Sequence, residues 1–98
     1  MSLRLILRRL AQAEFDDAAD WYERRRAGRG AAFTAAVRQA LLAIRARPEG
    51  YAAVYGDIRE ALVPGFPYAI YYRSELGQIT ILAVFHTSRD PSEWQKRL

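Results

Sequence analysis

AEFDDAADWYERRRAGRGAAF, residues 13–33, decides the fold, because it holds the end of one helix, a glycine turn and the start of another helix. Apolar residues recur at helical spacing before the glycines and again from Phe33 to Ile44. In the first helix acidic residues precede arginines, an order that suits the helix dipole. AGRG at 27–30 ends this helix, and Pro48 ends the second. The segment therefore predicts an antiparallel helical hairpin.

The chain on both sides of this hairpin predicts strands, because apolar alternation and β-branched or aromatic residues dominate it. The predicted class is α+β with the order β-α-α-β-β-β. We expect an antiparallel sheet of three or four strands, covered on one face by the N-terminal helical hairpin and partly open on the other. The predicted strands are LRLILR (3–8), DIREALV (57–63), YAIYYR (68–73) and QITILAVFH (78–86), and DPSE (90–93) predicts a short C-terminal helix carrying Trp94, with Asp90 as its N-cap and Pro91 at its first position.

Length and composition limit the protein class. Ninety-eight residues predict one domain spanning 1–98. The chain has no cysteine and one histidine, so neither disulfides nor a transition-metal site is expected, and we predict no cofactor. No signal peptide, long apolar run or nucleotide-binding glycine motif is present, which predicts a soluble, cytoplasmic protein.

Charge is unevenly distributed along the chain, whose formal net charge is +4. Five of the 11 acidic residues lie between Glu14 and Glu23, so that 12 basic and 6 acidic side chains follow from Arg24 onward. A basic surface favours an acidic partner, either a nucleic acid or an acidic protein segment. Arginines on solvated faces can equally reflect codon usage alone.

His86 is the candidate acid or base, because it ends the last predicted strand. Simple alternation places it on the face of Thr80, Leu82 and Val84, where Arg59 from a neighbouring strand can project toward it. A histidine among arginines suits RNA cleavage, in which a base takes the 2′-hydroxyl proton and guanidinium groups stabilise the phosphate. In the alternative, His86 hydrogen-bonds the backbone of the TSRDP turn (87–91), and Arg89 pairs with Asp90 or Glu93.

Four stretches, in this order and spacing, resemble the RelE/ParE superfamily of type II toxin–antitoxin modules, whose members are often described as plasmid stabilisation proteins. The resemblance covers nearly the whole chain and implies a toxin that a cognate antitoxin holds inactive in a hetero-oligomer. The superfamily includes mRNA endoribonucleases that need no metal and act at the ribosome, and ParE-like inhibitors of DNA gyrase. The stretches are AEFDDAADWYERRRAGRGAAF (13–33), IRARPEGY (44–51), REALVPGFPYAIYYR (59–73) and AVFHTSRDPSEW (83–94).

Departures from the nuclease pattern favour the ParE-like branch. The nucleases commonly have an arginine after the middle-strand tyrosine and after the last-strand histidine or lysine, positions occupied here by Ala69 and Thr87. The tail aromatic is Trp94, which lacks a phenol. The resemblance thus implies a gyrase inhibitor, with a ribonuclease as the alternative and an inactive remnant or plain binding module as a third possibility. Target-binding candidates are Arg59, Arg73, His86, Arg89 and Trp94, and catalytic candidates for a ribonuclease are His86, Arg59 and Arg89.

Overall fold

A computed structural model describes residues 3–98, and it confirms the α+β class. Two long helices follow the first strand, four strands form a meander, and a short helix ends the chain. A single 3₁₀ turn at Pro48–Gly50 links the second helix to the meander. The elements are β1 (Arg4–Leu7), α1 (Arg9–Arg25), α2 (Arg29–Ala46), β2 (Ala53–Tyr55), β3 (Ile58–Leu62), β4 (Tyr68–Glu75), β5 (Gln78–His86) and α3 (Ser92–Gln95).

The sheet contains five strands in the order β1-β5-β4-β3-β2. Its three meander pairs are antiparallel, but β1 lies parallel to β5, with Leu5 opposite Ile79. The prediction of a wholly antiparallel sheet was therefore wrong at this edge. The reason is β2, a three-residue strand between Pro48 and the predicted strand 57–63, where the sequence predicts no strand. Its presence adds one chain reversal, and this reversal makes β5 run in the same direction as β1.

The helical hairpin closes tightly at its tip because Gly30 has no side chain. A Cβ atom at Gly30 would lie 2.7 Å from the carbonyl oxygen of Ala19 and 2.8 Å from the Cβ of Glu23. The Glu23 carboxylate accepts hydrogen bonds from the backbone N–H groups of Gly28 and Gly30, each at 2.9 Å. These bonds satisfy donors at the start of α2 and lower the pKa of Glu23.

A β-bulge in β5 changes which side chains face the helices. Tyr72 lies opposite Ile81 while Tyr71 lies opposite Ala83, so that Leu82 is an extra residue in β5. Beyond this point the alternation shifts by one position. Val84 therefore packs with Ile79 and Ile81 in the core beneath the helices, whereas Leu82 packs on the other face. The prediction that His86 shares a face with Thr80 and Leu82 was wrong, because it assumed unbroken alternation.

Each face of the sheet has its own apolar core. The larger core lies under α1 and α2 and contains Phe33, Val37 and Ile44 from the second helix. The smaller core lies on the opposite face, where Trp94 of α3 covers Tyr71 and Phe85. The face expected to be partly open is thus partly covered by the C-terminal helix that the sequence predicted. Within residues 3–98 no helix has both the length and the apolar character to cross a membrane.

Candidate functional site

A groove of about 560 Å³ lies between α1 and the ends of β4 and β5. The first helix contributes one wall, with Glu14, Trp21 and Tyr22, and the strand ends contribute Tyr68 and His86. Aromatic rings therefore line both sides of an opening that also contains charged groups. Such a mixture of apolar surface and a few polar groups is typical of binding sites.

Aromatic packing fixes the inner wall of the groove. Tyr22 makes edge contacts with Phe66 and Tyr68 at ring-centroid distances of 5.0 and 6.2 Å, and Phe33 packs on Phe66 at 5.1 Å. Burial raises the pKa of Tyr68, so its phenol stays neutral at physiological pH. The wall is therefore a preformed, uncharged surface.

His86 lies at the end of this groove and is held by the turn that follows it. It pairs with Tyr68 across the two strands, with the rings 5.2 Å apart. Its Nδ1 accepts a hydrogen bond from the backbone N–H of Ser88 at 3.1 Å, and the Ser88 hydroxyl lies 2.8 Å from the same nitrogen. A backbone N–H can only donate, so the proton of the neutral imidazole is on Nε2. The turn thus occupies the nitrogen that would act as a base.

Arg89 joins the same turn to α1 and α3. Its backbone N–H donates to the His86 carbonyl at 3.1 Å, and its guanidinium pairs with Glu93 at 2.9 Å and with Glu14 at 3.7 Å. The group also lies 4.0 Å from the ring centroid of Phe85. The alternative interpretation of the sequence, a histidine bound to its own turn and an Arg89–Glu93 pair, describes these contacts.

Arg59 and Arg73 lie away from the groove. Arg59 donates to the Tyr51 carbonyl and pairs with Glu49 at 2.8 Å, beside the 3₁₀ turn. It lies opposite Tyr72 of β4, whereas His86 lies opposite Tyr68. The two β4 residues are four positions apart, which corresponds to about 13 Å along the strand. Arg73 pairs with Asp57 at 3.2 Å. The expected approach of Arg59 to His86 does not occur, because the Arg59 side chain projects toward the Glu49 carboxylate beside the 3₁₀ turn.

Trp94 is buried in the smaller core and takes no part in the groove. Only 1% of its surface is exposed, and its ring stacks on Tyr71 with centroids 4.2 Å apart. Its Nε1 is the only buried side-chain nitrogen or oxygen within residues 3–98 that lacks a hydrogen-bond partner. The side chain offers no exposed surface to a target, so the proposal of Trp94 as a contact residue does not fit this structure.

Glu14 and Arg97 are central residues that sequence reasoning missed. Beyond Ile81 the outer edge of β5 has no strand beside it, because β1 ends there. The Glu14 carboxylate accepts the Val84 N–H at 3.1 Å, and Arg97 donates to the Leu82 carbonyl at 3.1 Å. The two side chains also pair with each other at 2.5 Å. They lie 83 positions apart in sequence, so no local pattern marks them.

No group of three or more histidine, cysteine or carboxylate side chains in the part of the chain that the structure describes is placed to hold a metal ion.

Among the remaining phenols, Tyr72 donates to the Pro48 carbonyl at 2.6 Å, and burial raises its pKa to about 12. Burial and the Glu60 carboxylate raise the pKa of Tyr71 further. Both phenols therefore join separate parts of the chain, Tyr72 to Pro48 and Tyr71 to Glu60, and neither lines the groove.

The helical hairpin and the five-stranded sheet together define a small α+β protein with an aromatic-lined groove on its surface. The family model described as the ParE toxin of the type II toxin–antitoxin system parDE matches residues 5–91. Because this match covers most of the chain, the protein belongs to the ParE toxin family and is a type II toxin. Membership in that family implies an antitoxin partner.

Comparison with solved structures agrees with this fold. A chain from the structure described as the chromosomal ParDE TA system from P. aeruginosa superimposes with a TM-score of 0.78. The alignment covers 89% of this chain and 98% of the other, at 15% sequence identity. No curated protein sequence matches this chain.

Proposed function

We propose that this toxin inhibits growth by acting on DNA gyrase and that a cognate antitoxin neutralises it. The observation that carries the proposal is that each residue of the nuclease alternative is already engaged by another part of the protein. His86 has its Nδ1 bound by Ser88, Arg59 is paired with Glu49 at another corner, and Arg89 is engaged by Glu14 and Glu93. A scissile phosphate would find the base and the guanidinium groups already occupied, whereas a protein target could use the surface of the groove.

The groove also suits the proposed antitoxin. A disordered segment that folds onto the toxin would bury apolar side chains against Trp21 and Tyr68 and place carboxylates near Arg89. Trp21 remains 46% exposed in the free toxin, so part of this aromatic surface is available for a partner. His86 and Arg89 are the target-contact candidates that lie at the groove, and Arg59 and Arg73 are candidates at a separate surface.

A supercoiling assay tests the gyrase proposal directly. We expect purified toxin, mixed with gyrase and relaxed plasmid, to suppress supercoiling or trap cleaved DNA, and we expect the antitoxin to restore activity. His86→Gln keeps a hydrogen-bond acceptor on a side chain of similar size and should retain inhibition if His86 is only a contact or turn residue. Arg45→Gln, an exposed change on α2 that is not among the candidates, is a control away from the groove. Supercoiling that continues in excess folded toxin would contradict the proposal.

A cellular assay separates the two target classes. The toxin is induced without antitoxin, and double-strand breaks are measured beside the integrity of ribosome-bound mRNA in the same culture. We expect breaks, SOS induction and intact mRNA. Cut mRNA without breaks, abolished by His86→Ala, would replace the gyrase proposal with the endoribonuclease one. Normal growth would indicate an inactive remnant.

A further inference from the structure

The tip of the helical hairpin carries a cluster of arginines that the fold does not use. We call Arg24, Arg25, Arg26 and Arg29 the tip arginines. None of the four forms a salt bridge or a side-chain hydrogen bond with any residue in 3–98. In contrast, carboxylates pair with Arg59, Arg73, Arg89 and Arg97. The donors of the tip arginines are therefore available for a ligand.

Two of these guanidinium groups are positioned by aromatic rings. Arg25 lies 4.5 Å from the ring centroid of Trp21, and Arg29 lies 4.4 Å from that of Phe66. Contact with a ring face restrains a guanidinium through its planar face and leaves the N–H donors at its edge unoccupied. The rings therefore reduce the conformational entropy that these side chains would lose on binding an anion.

The local charge is not neutralised within the tip. Glu23 is the only acidic residue between 21 and 30, and its carboxylate accepts the backbone N–H groups of Gly28 and Gly30. Four arginines and one glutamate in residues 23–29 give a formal charge of +3, from +4 and −1. Because Glu23 is held by the backbone, no arginine of the tip depends on it as a partner.

We propose that the hairpin tip binds the phosphodiester backbone of a nucleic acid. Several closely spaced guanidinium groups with unoccupied donors match the repeated phosphates of such a backbone better than they match a single carboxylate. The partly exposed Trp21 adds an aromatic surface beside these cations, and it joins the tip to the groove. The inference goes beyond action on gyrase, since it assigns a direct contact between the toxin and nucleic acid.

Fluorescence anisotropy with labelled duplex DNA, single-stranded DNA and RNA of equal length tests this inference in the absence of gyrase. The key variant is Arg25→Gln/Arg29→Gln, which removes the two ring-stacked cations. Its control is Arg38→Gln/Arg45→Gln, which removes the same charge from exposed positions of α2, roughly 13 and 24 Å along the helix from Arg29. Thermal melting verifies that both variants fold.

We expect the tip variant to bind roughly tenfold more weakly at moderate salt. On duplex DNA, the slope of log affinity against log salt concentration should become less steep by about 2. The control should change binding by less than about threefold. Arg25→Lys/Arg29→Lys keeps the charge but loses the planar fork, so its affinity should lie between those of the wild type and the glutamine variant. The preferred probe identifies which nucleic acid supplies the phosphates.

Two outcomes would overturn the inference. One is the absence of salt-dependent binding to any of the three probes by folded wild-type toxin. The other is an equal loss in the tip variant and the control, which would reduce the effect to overall charge. Neither outcome bears on gyrase inhibition, because the supercoiling assay is read separately, and a toxin that binds DNA but leaves supercoiling unchanged would contradict only the gyrase proposal.

Discussion

The two tryptophans of this chain both have arginines near them in sequence, but they differ in burial and in what those arginines contact. Trp94 is buried, and the arginines near it in sequence, Arg89 and Arg97, are bound to Glu14. Trp21 is 46% exposed, and Arg25 lies over its ring with no carboxylate partner. The difference teaches that a partner carboxylate, rather than residue type, separates arginines that stabilise the fold from arginines that remain available for ligands.

The largest expected effect comes from removing the buried tryptophan. Trp94→Ala should lower the free energy of unfolding by about 3–5 kcal/mol, because it leaves a cavity against Tyr71 and Phe85. Trp21→Ala should cost about 1 kcal/mol or less, since half of that side chain is already in water. Urea denaturation measures both. Trp94→Phe should recover a large part of the loss, because no hydrogen bond of Nε1 is sacrificed. Equal losses for the two alanine variants would contradict the comparison.

The next effect tests the carboxylate that distinguishes the two regions. Glu14→Ala should destabilise the protein by about 2–3 kcal/mol, because it leaves the Val84 N–H unsatisfied and Arg97 without its partner in a site where both side chains are less than one-fifth exposed. Asp20→Ala, an exposed change on the same helix, is the matched control and should be nearly neutral. If both variants have the same unfolding midpoint, Glu14 does not hold the edge of β5.

A smaller effect is expected at the hairpin tip itself. Gly30→Ala should cost about 1–3 kcal/mol, since the new methyl group would meet the Ala19 carbonyl at 2.7 Å and push the helices apart. Gly50→Ala is the control, because its Cβ would meet only the Cβ of Arg47, at an ordinary 3.5 Å. Thermal unfolding of the two variants gives the comparison, and an unchanged melting temperature for Gly30→Ala would show that the tip can relax.

The smallest effect concerns acid pH. The backbone hydrogen bonds of Gly28 and Gly30 hold the pKa of Glu23 below its ordinary value of 4.5. Its contribution to stability is therefore complete above pH 4.5 and is lost as the pH falls through the lower, folded-state pKa. Glu23→Gln should flatten the stability profile between about pH 5 and pH 3, measured by urea midpoints. Asp20→Asn removes an equivalent exposed charge and is the control. If it flattens the pH profile of stability as much as Glu23→Gln does, the pH dependence does not come from Glu23.

Much of the fold was predictable because its elements have strong local patterns. The helical hairpin follows from apolar spacing and glycines, and β3, β4 and β5 follow from aromatic and β-branched residues. The failures were local irregularities. The three residues of β2 are all exposed and show no alternation of buried and exposed positions, and the bulge at Leu82 shifts the alternation without any sequence signal. These two irregularities explain why the predicted direction of β1 relative to β5 and the predicted face of His86 were wrong.

The candidate site was less predictable than the fold. His86 and Arg89 were identified from the strand end and the turn, and both lie at the groove. The aromatic wall and the Glu14–Arg97 pair were not identified, because they depend on contacts between distant parts of the chain. Arg59 has the residue type that a phosphate site requires, yet Glu49 and the Tyr51 carbonyl hold it elsewhere.

The sequence by itself determined the helical hairpin, three strands of the meander and the basic character, because periodicity, turn residues and charge are local properties. The order of the four quoted stretches carried the likeness to one toxin superfamily. Only the tertiary structure decided that β1 runs parallel to β5, that Glu14 caps the free edge of β5, and that the tip arginines keep their donors free. These features depend on which side chains meet across the sheet, and a bulge of one residue or a strand of three is enough to change that.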